Sequence, residues 1–175
     1  MLSGAKITLR VLKSNDLDKY INCWANLSTR GHYFPQVVFN EVFWKKRFAE
    51  NGLWGDDSGH MAMVNVNDEI IGSIFFFKPQ LYFSYLEIGY IIFADDERGK
   101  GHATEAVKLF SRYLFDTKPI NKLTLNINPN NVASKSVAEK CRFRSEGIDR
   151  GAMFSHGEYC DIERFGILRY EFYRK

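Results

Sequence analysis

Arg98-Gly99-Lys100-Gly101-His102-Ala103-Thr104-Glu105-Ala106 is the stretch on which the fold turns. It follows an apolar run, Leu86-Glu87-Ile88-Gly89-Tyr90-Ile91-Ile92-Phe93, that reads as a strand, and it opens a segment of helical periodicity. Two glycines and an alanine leave no bulk over the first N–H groups of that helix. Those groups lack intrahelical partners, and the helix dipole adds positive potential there. A strand, a small-residue loop and a helix start in this order suit a pyrophosphate.

Outward from the loop, the following helix places Ala103, Ala106, Val107, Phe110 and Leu114 on one face, with Glu105, Lys108 and Arg112 opposite. Leu123–Ile127 reads as a short buried strand, so 84–127 forms a strand–helix–strand crossover. Pro129-Asn130-Asn131 starts another helix, with Val137 and Cys141 one turn apart. Beyond it, 143–152 and 159–170 read as a hairpin turned by His156-Gly157. Upstream, 60–66 and 70–78 are strand-like around Asn67-Asp68. Ile7–Val11 alternates as a first strand. Ser14 or Asn15 caps a helix with the apolar stripe Leu17, Tyr20, Ile21, Trp24 and Leu27. Asn40 caps a second helix ending near Gly52, after a loop from Ser28 to Phe39. The expectation is a mixed α/β class: a central, largely antiparallel sheet of about seven strands with about four helices, in a single domain over 1–175.

Composition narrows the function. The net charge is +3, and Lys and Arg are scattered apart from Lys45-Lys46-Arg47, so no nucleic-acid footprint is expected. Cys23, Cys141 and Cys160 are widely spaced, without C-x-x-C, and the four histidines lack ligand spacing. Neither a disulfide framework nor a metal site is expected. No segment reads as a signal peptide or membrane span, so a cytoplasmic protein without a membrane partner is expected.

The loop lacks the G-x-x-x-x-G-K-[ST] string of a P-loop. Read as G-x-G-x-x-G, it has Thr104 at the third glycine, which weakens a dinucleotide oxidoreductase reading. Its spacing does match [Arg/Gln]-x-x-Gly-x-[Gly/Ala]. With Glu87-Ile88-Gly89-Tyr90 upstream and Asn131-Val132-Ala133-Ser134-Lys135-Ser136-Val137-Ala138-Glu139-Lys140-Cys141-Arg142-Phe143 downstream, the chain resembles the GNAT acetyltransferases, in their RimJ/RimL-like branch. The resemblance covers nearly the whole chain and implies the GNAT fold, with acetyl-CoA as co-substrate.

The resemblance assigns the coenzyme's pyrophosphate to the backbone of Gly99, Lys100, Gly101, His102 and Ala103, with charge added by Arg98 and Lys100. His102 is expected as a solvent-exposed passenger. It lays the pantetheine arm along Tyr90, Ile91, Ile92 and Phe93, whose N–H groups include a donor for the carbonyl oxyanion. It also places Thr104, Asn126, Asn131 and Lys140 against the coenzyme. Ser134 is implied near the sulfur as general acid; read locally, Asn131 is an N-cap and Ser134 a first-turn residue. Many relatives carry a general-acid Tyr where this chain has Ala138, and a Gly where it has Arg142.

Glu87 shares a strand face with Tyr85, Gly89 and Ile91, and Gly89 removes bulk beside it for a substrate. A partly buried carboxylate there can take a proton from an alkylammonium; a structural strand charge is the other reading, and the resemblance favours the base. The implied acceptor is a primary amine: a protein N-terminus, a polyamine, an amino acid or an amine-bearing antibiotic or toxin. Acceptor contacts are expected from Tyr33, Phe34, Tyr85, Phe154 and Tyr159, or, for a polycation, from Glu50, Asp56 and Asp57. A homodimer is compatible with this reading. The alternative is a catalytically silent acyl-CoA-binding module, supported by Ala138.

Overall fold

The computed structural model describes residues 1–38 and 40–174. Its strands are β1 (Leu2–Ser3), β2 (Thr8–Arg10), β3 (Ser58–Val64), β4 (Ile70–Phe77), β5 (Tyr85–Ile92), β6 (Lys122–Ile127), β7 (Arg144–Ser155) and β8 (Glu158–Leu168). Its helices are α1 (Leu17–Ala25), α2 (Glu41–Asn51), α3 (His102–Thr117), α4 (Val132–Lys140) and α5 (Arg169–Tyr173). The described strands form one sheet in the order β1-β2-β3-β4-β5-β6-β8-β7. Every pair is antiparallel except β5 with β6, which the α3 crossover joins in parallel.

The sheet separates two apolar clusters. One holds Ala106, Val107, Phe110 and Leu114 of α3 and Ala138 of α4, against Leu86 and Ile88 of β5. The other holds Tyr20, Ile21 and Trp24 of α1 and Trp44 of α2, against Ile91 of β5 and Phe93. Period-2 alternation along β5 therefore feeds both layers. Two rows of side chains cross the α1/α2 face. Register places Ser58, Phe77 and Glu87 in one row, and His60, Phe75 and Gly89 in the next.

Local sequence signals set most element ends. Asn40 Oδ1 accepts from the Phe43 N–H at 3.2 Å, and Gly52 ends α2 at φ 64°. The β7–β8 turn uses His156 and Gly157 at φ 54° and 83°, the left-handed pair of a two-residue hairpin. Three features differ from expectation. The first strand is shorter than Ile7–Val11, and Leu2–Ser3 pairs beside it. A short α5 replaces the end of the last strand, where the Arg169 guanidinium bonds the carbonyls of Phe115, Lys118 and Ile120. Glu105 does not face solvent on α3. Its carboxylate accepts from the N–H groups of Ala5, Lys6 and Ile7 at 2.7, 2.9 and 3.1 Å, tying the amino-terminal turn to α3.

The pairing of β5 with β6 sets up the site. Registered partners run only from Tyr85↔Lys122 to Glu87↔Thr124, while β5 continues to Ile92 and β6 to Ile127. Beyond Glu87 the two strands splay apart.

Candidate active site

The splay opens into a cavity of about 1010 Å³, lined by both sheet faces' neighbours: α1, α2, the loop at 30–37, β5, the glycine loop and α4. The Phe93 N–H bonds the Ile71 carbonyl at 2.9 Å. Antiparallel alternation then turns Gly89 and Ile91 toward β4, and the backbone groups of Tyr90 and Ile92 toward the gap. Of the expected Tyr90–Phe93 donors, the Phe93 N–H is thus already used by the sheet. Its side chain is buried among Tyr20 and Trp24.

At the glycine loop, Gly99 and Gly101 stand at φ 75° and 87°, and Gly101 immediately precedes α3. A Cβ at Gly99 would meet nothing within 4 Å. One at Gly101 would meet only the Lys6 ammonium, at 3.3 Å. The first N–H groups of α3 are therefore uncovered, as an anion site requires. Charge arrives differently than expected. The Arg98 guanidinium is committed to Asp95 (2.6 Å), the Thr29 carbonyl (2.6 Å) and the Ile92 carbonyl (3.1 Å), bracing the end of β5. Lys100 lies 3.2 Å from Glu97. The cation beside Gly101 is Lys6, whose Nζ donates to the Lys100 carbonyl at 2.7 Å. Nothing in the sequence pairs residue 6 with residue 101; the Glu105 tether, with Ile7 and Leu9 packed in the same cluster as α3, brings them together. His102 is not exposed either. It is 92% buried by relative area, because it begins α3 under the loop, and its Nε2 is 2.8 Å from Glu97.

Glu87 is half-buried on the cavity wall. Desolvation pushes its carboxyl up to about 7, against the pull of Arg164. Asn126 Nδ2 donates to Glu87 Oε2 at 2.9 Å, so Asn126 orients the carboxylate rather than standing apart from it. The space expected over Gly89 is not left for a substrate. A Cβ there would lie 2.2 Å from the Phe75 ring, so the missing side chain admits Phe75, which stacks on His60 at 5.0 Å.

On the α3/α4 side, the Tyr90 hydroxyl donates to Ser134 Oγ at 3.1 Å. Burial pushes the Tyr90 phenol up to about 12 despite that hydrogen bond. Asn131 is the N-cap of α4, its Oδ1 accepting from the Ser134 N–H at 3.1 Å. Ala138 is fully buried against the core. Arg142, at φ 67°, occupies the left-handed position that glycine favours. Its guanidinium bonds the carbonyls of Glu171 and Arg174 at 2.6 and 2.8 Å, which offsets the strain. Cys141 is buried, donates to the Thr104 carbonyl at 3.5 Å, and has its thiol pushed up to about 11 by desolvation, the opposite of an activated nucleophile.

Of the expected acceptor residues, Tyr33 and Phe34 line the cavity, as do Thr104, Asn126, Asn131, Ser134 and Lys140. Tyr85, Phe154 and Tyr159 do not. Tyr85 stacks on Phe83 at 4.8 Å, and Phe154 and Tyr159 pack on each other at 5.1 Å on the exposed hairpin end. The hairpin reaches the 28–39 loop through His156 instead, which bonds Gln36 at 3.0 Å and packs on His32. Phe39, the last residue of that loop, lies outside the described residues.

A family model described as the acetyltransferase (GNAT) domain matches residues 6–144. The chain belongs to the GNAT acetyltransferase family. It is an acetyl-CoA-dependent N-acetyltransferase. An uncharacterised N-acetyltransferase, p20 of Bacillus licheniformis, is 25% identical over 171 residues, 95% of each chain. The probable N-acetyltransferase YjcK of Bacillus subtilis is 27% identical over 177 residues, 96% of this chain and 97% of its own. Two solved GNAT structures share the fold. Spermidine N-acetyltransferase from Vibrio cholerae, in complex with CoA and spermine, superposes with a TM-score of 0.79 at 23% identity, over 98% of this chain and all of that one. RimJ from Mycobacterium smegmatis, with CoA-disulfide, also scores 0.79, at 16% identity, over 97% of this chain and 85% of its own.

Proposed function

We propose that the chain transfers acetyl from acetyl-CoA directly to a primary amine, with Glu87 as base and the Tyr90–Ser134 hydroxyl pair at the departing sulfur. The observation that carries this is the placement of a half-buried carboxylate and a hydroxyl pair beside one gap, with the uncovered N–H groups of α3 next to it. In this reading the gap takes the pantetheine arm as a strand would be taken, with Tyr90 and Ile92 backbone groups facing it. The N–H groups after Gly99 hold the pyrophosphate, and Lys6 contributes the cation.

The alkylammonium gives its proton to Glu87, and the freed amine attacks the thioester carbonyl. The oxyanion that develops faces the Tyr90 N–H. As the C–S bond breaks, Ser134 O–H donates to the sulfur while accepting from the Tyr90 hydroxyl, so negative charge is met by two linked donors. A phenol held near 12 is a poor proton source. Its part is therefore to polarise Ser134; the thiolate leaves hydrogen-bonded and takes the second proton, which the attacking nitrogen sheds as the amide forms, giving the free coenzyme thiol. The hydroxyl that Ala138 lacks on α4 comes instead from β5. This weighs against a silent acyl-CoA-binding module. The buried, raised thiol of Cys141 weighs against an acyl-enzyme.

The Asn131–Lys140 motif and the RimJ likeness favour the RimJ/RimL-like branch. Three unbridged cysteines favour a reducing cytoplasm. Among the described residues no helix is long and apolar enough to cross a membrane. Release of coenzyme thiol from acetyl-CoA, measured against a panel of polyamines, amino acids and amino-terminal peptides, tests the activity. Tight acetyl-CoA binding with no thiol release for any amine would favour the silent module.

A further inference from the structure

The acceptor side of the cavity carries a charge pattern of its own. Arg47 of α2 lines it, half-buried, with Nη2 3.1 Å from Ser58 Oγ and its guanidinium 5.8 Å from the Phe43 ring. No carboxylate among the described residues pairs with it. Its lysine neighbours take the nearby acids: Lys45 pairs with Asp18 and Glu41, and Lys46 with Glu50. The other carboxylates on the cavity wall are also engaged, Asp149 by Arg164 and Glu97 by Lys100 and His102. A partly desolvated guanidinium without an anion is costly, and its flat fork suits a carboxylate.

Arg47 and Glu87 stand at opposite ends of one row. Ser58, under the guanidinium, pairs with Phe77, which pairs with Glu87. Two inter-strand steps separate Ser58 from Glu87 by about 10 Å. Between them lies the Phe77 ring, flanked by Phe75 at 6.3 Å. His60 on the adjoining row stacks on Phe75 and meets Trp44 edge-on at 4.9 Å. The Nδ1 of His60 faces the Tyr20 hydroxyl at 3.0 Å, and its burial keeps the imidazole neutral at physiological pH, so the middle of the track is uncharged.

The geometry points to an acceptor that carries a carboxylate as well as its amine, the two held apart by an apolar or aromatic body: amine at Glu87, body over Phe77 and Phe75, carboxylate on Arg47. The assignment rests on the acetyltransfer reading above and names the substrate class for that site. Allowing up to about 3 Å at each end for hydrogen bonds that need not lie along the row, the amine and carboxylate are separated by about 4–10 Å. A plain α-amino acid is too short. A polyamine would place a second ammonium against Arg47. Glu50, Asp56 and Asp57, the acids that a polycation would need, lie outside the cavity wall, beside Lys46, Lys118 and Lys78.

The test measures thiol release from acetyl-CoA with 4-(aminomethyl)benzoate, its decarboxylated twin benzylamine, glycine and spermidine. In the wild type, kcat/KM for the aminomethylbenzoate should exceed that for benzylamine by about 10- to 100-fold, the range of one charge-assisted contact. That preference should shrink in high salt. Arg47→Gln should bring the ratio near one, mainly through KM for the carboxylate. Arg47→Lys, which keeps the charge without the fork, should fall between. Should the Gln variant fold poorly, the wild-type ratio and its salt dependence decide. Spermidine or benzylamine used as well as the aminomethylbenzoate, or a ratio unmoved by Arg47→Gln, overturns the carboxylate reading and leaves acetyltransfer standing. Bound acetyl-CoA with no thiol release for any of the four amines overturns both.

Discussion

Glu87→Gln keeps the side chain's size and a hydrogen-bond acceptor for Asn126, and removes only its titration. With the wild-type carboxyl held at about 7, roughly a tenth is ionised at pH 6, half at pH 7 and nine tenths at pH 8. The base alone then raises the wild-type rate about tenfold from pH 6 to 8. The variant should lose about two to four orders of magnitude at pH 7, the range for a positioned base. Its deficit should shrink at higher pH, as the acceptor loses its proton unaided. Stability moves the other way. The folded pKa lies above the unfolded one, so the protonated carboxyl's contribution is complete below about 4.5 and is lost as pH rises through about 7. The variant does not titrate, and should gain on the wild type across that window by about 2 kcal/mol, after discounting for access to the cavity. For a chain of this length that is about 4–8 °C in Tm at pH 8. Stopped-flow thiol detection across pH 6–9 and thermal melts across pH 4–9 measure both. Wild-type rate and profile in the variant would refute the base assignment. A Tm gap that stays constant with pH would refute the buried carboxyl.

Further outcomes follow from the same geometry. Gly101→Val should abolish acetyl-CoA binding in calorimetric titration of the folded variant, because a branched side chain, already strained at φ 87°, would cover the open helix start. Ser134→Ala should lower turnover about 10- to 100-fold with little change in coenzyme affinity. Adding Tyr90→Phe to it should cost little more, since the phenol acts through Ser134; additive losses would separate the two. Gly89→Ala should destabilise by about 1–3 kcal/mol in denaturant titration, because the new methyl group meets the Phe75 ring.

The element order apart from Leu2–Ser3 and α5, the crossover around the glycine loop and most caps and turns were legible in the residues alone. These depend on signals that act within a few residues: alternation in Leu86–Phe93, the Asn40 and Asn131 caps, and His156-Gly157. The sequence also pointed to Glu87 and Ser134, which line one cavity, since motif spacing survives as strand and helix register. Tertiary structure decided what those residues meet. Gly89 looked like room for a substrate, yet a glycine says only that a side chain is absent, and Phe75 from the next strand fills the space. Arg98 was expected as a phosphate ligand, yet its guanidinium is held by the Thr29 and Ile92 carbonyls, and the cation beside Gly101 is Lys6, from the far end of the chain. The Tyr90–Ser134 and Asn126–Glu87 pairs and the Arg47–Phe77–Glu87 track join residues tens of positions apart. Such contacts are set by strand pairing and by where β5 and β6 part, and neither is written in any local pattern of residues.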